Sequence, residues 1–155
     1  MFGYDHRLSA YYEGLPGVKY SIGFYIHPYD TDYGGVISNT TFVRWLDELR
    51  TGWLDTIMSR TRQQSEGFAL VVGRVEIDYL YPVNFFEGDQ PILGEIEDIE
   101  RGNSRVVFQA RFSLGEKKVA SAQQKTLLID IAARRPARFP IDAAEILEAL
   151  SPKPT

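Results

Sequence analysis

The sequence predicts an α+β domain in which one antiparallel sheet of about five strands wraps around one long helix. Three observations point there. A chain of 155 residues suits a single domain. One broad apolar stripe at helical spacing runs through residues 42–57. Alternating, turn-bounded segments lie on both sides of that stripe, and no second long helix separates them.

Residues 1–17 are aromatic, polar and glycine-bearing and end in GLPG, which reads as an N-terminal arm. From Val18 the chain alternates: Val18, Tyr20, Ile22, Phe24 and Ile26 share one face, and Lys19, Ser21, Gly23, Tyr25 and His27 the other. That period of two is a half-buried strand. Pro28 and the glycines at 34 and 35 end it. Phe42, Trp45, Leu46, Leu49, Trp53, Leu54 and Ile57 then recur at three- and four-residue steps, the stripe of a helix that lies across a sheet. Gly52 inside it costs up to about 1 kcal/mol relative to alanine, so close packing is expected there.

The polar stretch SRTRQQSEG reads as a link. Four strands follow as a meander: ALVVGRVEIDYLYPV, QPILGEIEDIER, RVVFQARFSL and VASAQQKTLLID, joined at FFEGD, RGNS and GEKK. Val106, Phe108, Ala110, Phe112 and Leu114 mark one inward face, and Tyr25, Arg74, Glu76 and Gln109 belong to the opposite one. After ARRPARFP a short final helix is expected near IDAAEILEAL. The organisation is thus an arm at 1–17, one domain at 18–140, and a short helix and tail at 141–155.

Composition narrows the function. Hydrophobic residues make up 44% and charged residues 25%, an ordinary globular balance. The absence of cysteine removes disulfides, thiol nucleophiles and thiolate metal sites. A net charge of −4 gives no general pull toward nucleic acid or anionic membrane. No run of about 18 apolar residues occurs, and the start lacks a basic region followed by an apolar one. The expected address is cytoplasmic, with neither nucleic acid nor membrane as partner. Two histidines and no G-x-S-x-G elbow argue against a serine triad, and no histidine–acid cluster suggests a metal.

The stretch DTDYGGVISN, residues 30–39, places two carboxylates in a glycine turn just ahead of the long helix. Asp30 and Asp32 can shape the turn, and Ser38 and Asn39 are natural N-caps. The run Asp30, Thr31, Asp32, Gly35, Phe42, Trp45, Glu48, Arg50 resembles the hotdog-fold acyl-CoA thioesterases of the 4-hydroxybenzoyl-CoA thioesterase type. DYLYPV followed by EGD resembles later strands of the same family, and the resemblance spans residues 18–130.

That resemblance implies hydrolysis of an acyl thioester carried on coenzyme A, the acyl group being aromatic or fatty. It assigns catalysis to Asp32, as nucleophile or general base, and oxyanion stabilisation to the backbone amide of Asn39. A helix N-terminus offers unpaired N–H groups and partial positive charge to such an oxygen. Gly35, Thr40 and Arg50 are expected to contact substrate, although Arg50 is also placed to pair with Asp47. Glu48 is the reserve catalytic acid, and Asp30 is read as structural. Relatives often carry histidine or tyrosine where this chain has Asn39, and tyrosine where it has Phe42, so no side-chain proton shuttle is expected at Asn39. The resemblance also implies a homodimer whose sheets join edge to edge, with a tetramer through the outer sheet faces as a further option, and no cofactor and no metal. The alternatives are an acyl-carrier-protein (acyl-ACP) thioesterase of lipid or polyketide biosynthesis and a non-catalytic acyl-binding hotdog protein. The arginines of RGNSR and ARRPAR read as solvated loop charge or, alternatively, as partners of coenzyme A phosphates.

Overall fold

The structure is a computed structural model and describes residues 10–12, 20–87 and 89–140. In chain order it comprises β1 (Ala10–Tyr12), β2 (Tyr20–Phe24), a 3-10 turn (Pro28–Asp30), α1 (Asn39–Ile57), α2 (Arg60–Glu66) and β3 (Phe68–Tyr79). A second 3-10 turn (Phe85–Glu87), β4 (Ile92–Arg101), β5 (Arg105–Leu114), β6 (Lys117–Asp130) and β7 (Arg135–Pro136) follow. All strands pair antiparallel, in the order β1-β2-β4-β5-β6-β3 with β7 on β6.

The apolar stripe fixes how α1 lies. Phe42, Trp45, Leu46, Leu49, Trp53, Leu54 and Ile57 are all buried. Trp45 stacks on Phe24 of β2 at 4.9 Å, and Trp53 meets Phe108 of β5 edge-on at 4.8 Å. The inward row of β5 is buried at Val106, Phe108, Ala110 and Phe112. Polar groups join this interior too, and Gln124 of β6 has no exposure. Its amide donates to Asp47 Oδ1 at 3.0 Å and accepts from Arg50 at 3.0 Å, so both ends are satisfied.

Two expectations are corrected. The four later strands are not a simple meander: β3 pairs with β6, whereas β4 pairs with β2. The connection after β3 carries prolines at 82 and 91 and is drawn to the loop ahead of α1. Ile37 N donates to Val83 O at 2.8 Å and Phe85 N to Gly35 O at 2.9 Å. Those bonds replace a hairpin turn. The link SRTRQQSEG is a helix, capped by Ser59 Oγ accepting from Arg62 N and ended by Gly67 at φ 71°. Within the arm, Ala10–Tyr12 adds a strand beside β2. The helix expected near 141–150 lies outside the described residues.

Gly52 is where Tyr20 packs against α1. A Cβ there would sit 2.0 Å from the Tyr20 hydroxyl and 2.5 Å from its Cζ. Gly52→Ala is therefore expected to destabilise by about 1–3 kcal/mol through overpacking, despite its gain of about 1 kcal/mol in helix propensity. Thermal melts check this. In a Tyr20→Ala background the same change should raise stability, and a higher melting temperature for the single variant would contradict the packing account.

Candidate active site

The loop before α1 is built on its two acids, which do different things. Asp30 is fully buried. Its Oδ2 accepts from His27 N at 2.8 Å, and its Oδ1 is ion-paired with Arg44. Its backbone oxygen accepts from Ser38 N at 2.9 Å and from Thr41 Oγ1 at 2.8 Å. Asp30 thus clamps the loop onto the first turns of the helix.

Asp32 is exposed. Its Oδ1 accepts from Gly34 N at 2.9 Å and Val36 N at 3.3 Å, which fixes the carboxylate over its own turn. Asp32 N donates to Val36 O at 2.7 Å, and Gly35 N to Asp32 O at 3.0 Å. Gly35 has φ 76°, and nothing lies within 4 Å of where its Cβ would be. The turn therefore needs glycine for its backbone angle, not for space. Among the described residues no hydrogen bond uses Asp32 Oδ2.

Ser38 is the N-cap of α1, with extended φ −73° and ψ 152°. Its Oγ bonds the hydroxyls of Thr40 at 3.0 Å and Thr41 at 2.9 Å. Asn39 is the first helical residue and not the cap. The amides of Ser38 and Thr41 have backbone acceptors at 2.9 and 3.1 Å. Those of Asn39 and Thr40 have no protein acceptor among the described residues, so the open donors of the helix start fall at these two positions.

Asn39 opens on a hollow of about 280 Å³ walled by Val36, Ile37, Phe42, Tyr79, Leu80, Tyr81, Pro82 and Val83. The crossover connection supplies one wall and the Asp32 turn adjoins another, joined through the Val36–Asn84 bridge. Tyr79 packs edge-on against Phe42 at 5.8 Å, and its hydroxyl donates to Asn39 O at 3.4 Å. Burial raises the Tyr79 phenol above its ordinary range. The Tyr81 hydroxyl donates to Glu87 Oε1 at 3.1 Å.

Two expected site residues lie apart from this hollow. Arg50 is eleven residues along α1 from Asn39, about 16 Å at 1.5 Å per residue. Its guanidinium is held by Asp47 at 2.6 Å and Gln124 at 3.0 Å. Glu48 borders a different groove, of about 400 Å³, with Tyr20, Arg44 and Asp55. Burial lifts the Glu48 carboxyl above the usual range, Arg44 opposing and Asp30 adding to the rise. A third hollow on the outer sheet face is bordered by Glu76, Asp78 and Glu97 and has no helix start facing it. Sequence reading passed over Tyr79. Tyr79 is the first of the two tyrosines of DYLYPV, three residues before Pro82.

A curled antiparallel sheet around one long helix, with open amides where that helix begins, defines the hotdog thioesterase class. The sequence profile of the thioesterase-like superfamily matches residues 26–150, and the chain belongs to that superfamily: it is a thioester hydrolase. It is 26% identical over 113 residues to the acyl-CoA thioesterase YbgC of Haemophilus influenzae, covering 72% of this chain and 81% of that protein. A thioesterase from Thermus thermophilus, solved with coenzyme A and Zn, superposes with a TM-score of 0.75 at 20% identity, covering 91% of this chain and 100% of that one. The 1,4-dihydroxy-2-naphthoyl-CoA thioesterase of Synechocystis superposes at 0.69 with 25% identity, covering 83% and 96%. Among the described residues no group of three or more His, Asp or Glu side chains is placed to hold a metal ion, and no helix is long and apolar enough to cross a membrane.

Proposed function

We propose that the protein hydrolyses an acyl-CoA thioester, with the acyl group in the Asn39 hollow, the Asn39 amide on the carbonyl oxygen and Asp32 as the reacting carboxylate. The observation that carries this reading is the unpaired amide, among the described residues, of Asn39, a helix-start residue that borders an apolar hollow next to the Asp32 turn. A donor fixed before reaction stabilises the oxyanion without reorganisation. With Oδ1 committed to two amides, Oδ2 is the oxygen left to act. It either attacks the carbonyl to give a mixed anhydride that water cleaves, or takes a proton from the attacking water. In both routes the carbon–sulfur bond breaks, and the products are the free acid and the coenzyme A thiol. Free-thiol detection over a panel of aromatic, short and long acyl-CoAs, with acyl-ACPs alongside, tests the reading. Release from coenzyme A thioesters is expected. Release from acyl-ACPs alone would move the carrier assignment, and none at all would favour an acyl-binding role.

The reading includes a homodimer. β3 is 12 residues long and, among the described residues, pairs on one side only, with β6. An edge of this length invites another strand. Val71, Val72 and Tyr79 are 40%, 39% and 45% exposed along it. Two-fold pairing through β3 would bring a second copy over the Tyr79 end, where the hollow opens. It would set beside that hollow the opposite end of the second copy's sheet. In this chain that opposite end carries exposed Arg105, Arg134 and Arg135, a chemistry suited to phosphates. Light scattering at micromolar concentration should give at least twice the chain mass. A fully active monomer would contradict the shared site.

A further inference from the structure

We propose that Thr41 is a positioning residue for the reaction: its hydroxyl holds Ser38 Oγ away from the first amides of α1, so the helix start stays uncapped and open to the thioester oxygen. The inference rests on the reading of that start as the oxyanion site and goes on to say what keeps it free.

Ser38 stands where a cap belongs and has the backbone of one, φ −73° and ψ 152°, yet its side chain makes no capping bond. A serine in that position ordinarily accepts from the second or third amide of the helix. Ser59, at the start of α2, does so: its Oγ accepts from Arg62 N at 3.2 Å. In α1 those amides belong to Thr40 and Thr41. Thr41 N donates to Ser38 O at 3.1 Å, and Thr40 N has no protein acceptor among the described residues. No acidic side chain lies in the first turn to meet its partial positive charge.

What diverts Ser38 is a chain of hydroxyls whose direction is fixed at its buried end. Thr41 is 3% exposed and Asp30 is fully buried. The Asp30 backbone oxygen only accepts, so Thr41 spends its one proton there, at 2.8 Å. Between Ser38 and Thr41, whose hydroxyls lie 2.9 Å apart, Ser38 is then the donor. Its own proton spent, Ser38 accepts from the Thr40 hydroxyl at 3.0 Å. Asp30 in turn is held by Arg44 and by His27 N, so the chain ends on a fixed point. Rotation about one side-chain bond separates Ser38 Oγ from a capping position. A cap oxygen on the Thr40 amide would take that donor and set partial negative charge beside the Asn39 amide. Negative charge develops there in the reaction, so a cap would work against it.

Thr41→Val keeps the shape of the side chain and removes the hydroxyl. Ser38 Oγ, released, should then turn and cap the Thr40 amide. On the best acyl-CoA, kcat should fall about 10- to 100-fold, short of losing a donor outright, with KM little changed. Thr41→Ser keeps the hydroxyl and should hold kcat near the native value. The decisive variant combines Thr41→Val with Ser38→Ala. It has no oxygen left to cap with, so kcat should recover to within about threefold of native. A merely structural role for Thr41 would leave the double variant as slow as Thr41→Val or slower. That result, or a native kcat in Thr41→Val, overturns the proposal. A second readout needs no turnover: hydrogen exchange at the Thr40 amide, followed by NMR. Exchange should slow by about fivefold or more in Thr41→Val and return to the native rate in the double variant. Equal rates in all three proteins overturn the proposal. The expected exchange pattern in a protein that releases no thiol from any thioester supports the hold of Thr41 on Ser38 and overturns the oxyanion reading instead.

Discussion

Asp32→Asn is expected to fold like the native protein and to lose about 100- to 10,000-fold in the chemical step. The fold should survive because the structural work of this side chain is done by one oxygen. Oδ1 accepts from Gly34 N and Val36 N, and an asparagine oxygen accepts the same two bonds. The other position becomes an amide, which neither attacks a carbonyl nor takes a proton from water. Single-turnover thiol release on the best acyl-CoA, beside a thermal melt, separates chemistry from stability. A variant within twofold of the native rate would remove Asp32 from the reaction and move attention to Glu48. There the carboxyl is already raised by burial, but it lies in another groove.

Asn39→Pro is expected to cost about 100- to 1,000-fold in kcat, the usual effect of losing one oxyanion donor, with little change in stability. This substitution is cleaner than proline usually is inside a helix. Asn39 is the first helical residue, where proline is favoured because its missing N–H has no helical acceptor. Ser38 before it already has φ −73° and ψ 152°, the extended conformation that a following proline requires. Asn39→Ala should be near neutral in both respects, since the side chain is exposed and Ser38 is the cap. Loss in the proline variant with retention in the alanine variant would assign the work to the backbone. Normal turnover with proline in place would exclude the amide from the reaction.

Much of this was legible because single elements carry strong periods. The stripe from Phe42 to Ile57 had one stable solution, a helix laid across a sheet, and every residue in it is buried. The alternation of Val106, Phe108, Ala110 and Phe112 likewise fixed the inner face of β5. Pairing between strands was less legible, because it depends on bonds between distant segments. Nothing local to FFEGD says that Phe85 N will bond Gly35 O and draw the connection across the sheet. The helix at Arg60–Glu66 was missed because it buries no residue and so has no apolar period to read.

The site divided in the same way. The special backbone of the loop was announced by its glycines, and Gly35 does adopt a positive φ. The separate roles of two acids two residues apart were not visible in composition. They follow from Arg44 and His27, which reach Asp30 and leave Asp32 at the surface. Arg50 read as a helix charge paired with Asp47 or turned to substrate; Asp47 does hold it, and Gln124, seventy-four residues later, folds back to join the pair.

The central claim is that the thioester carbonyl sits where α1 begins, between the Asn39 amide and the Asp32 turn. A crystal structure with a non-hydrolysable ketone or thioether analogue of an acyl-CoA tests it most directly. The account predicts the acyl group in the hollow bordered by Phe42 and Tyr79, with the ketone oxygen about 2.7–3.1 Å from Asn39 N. An analogue bound instead in the Glu48 groove, or with its carbonyl turned away from Asn39 N, would contradict it.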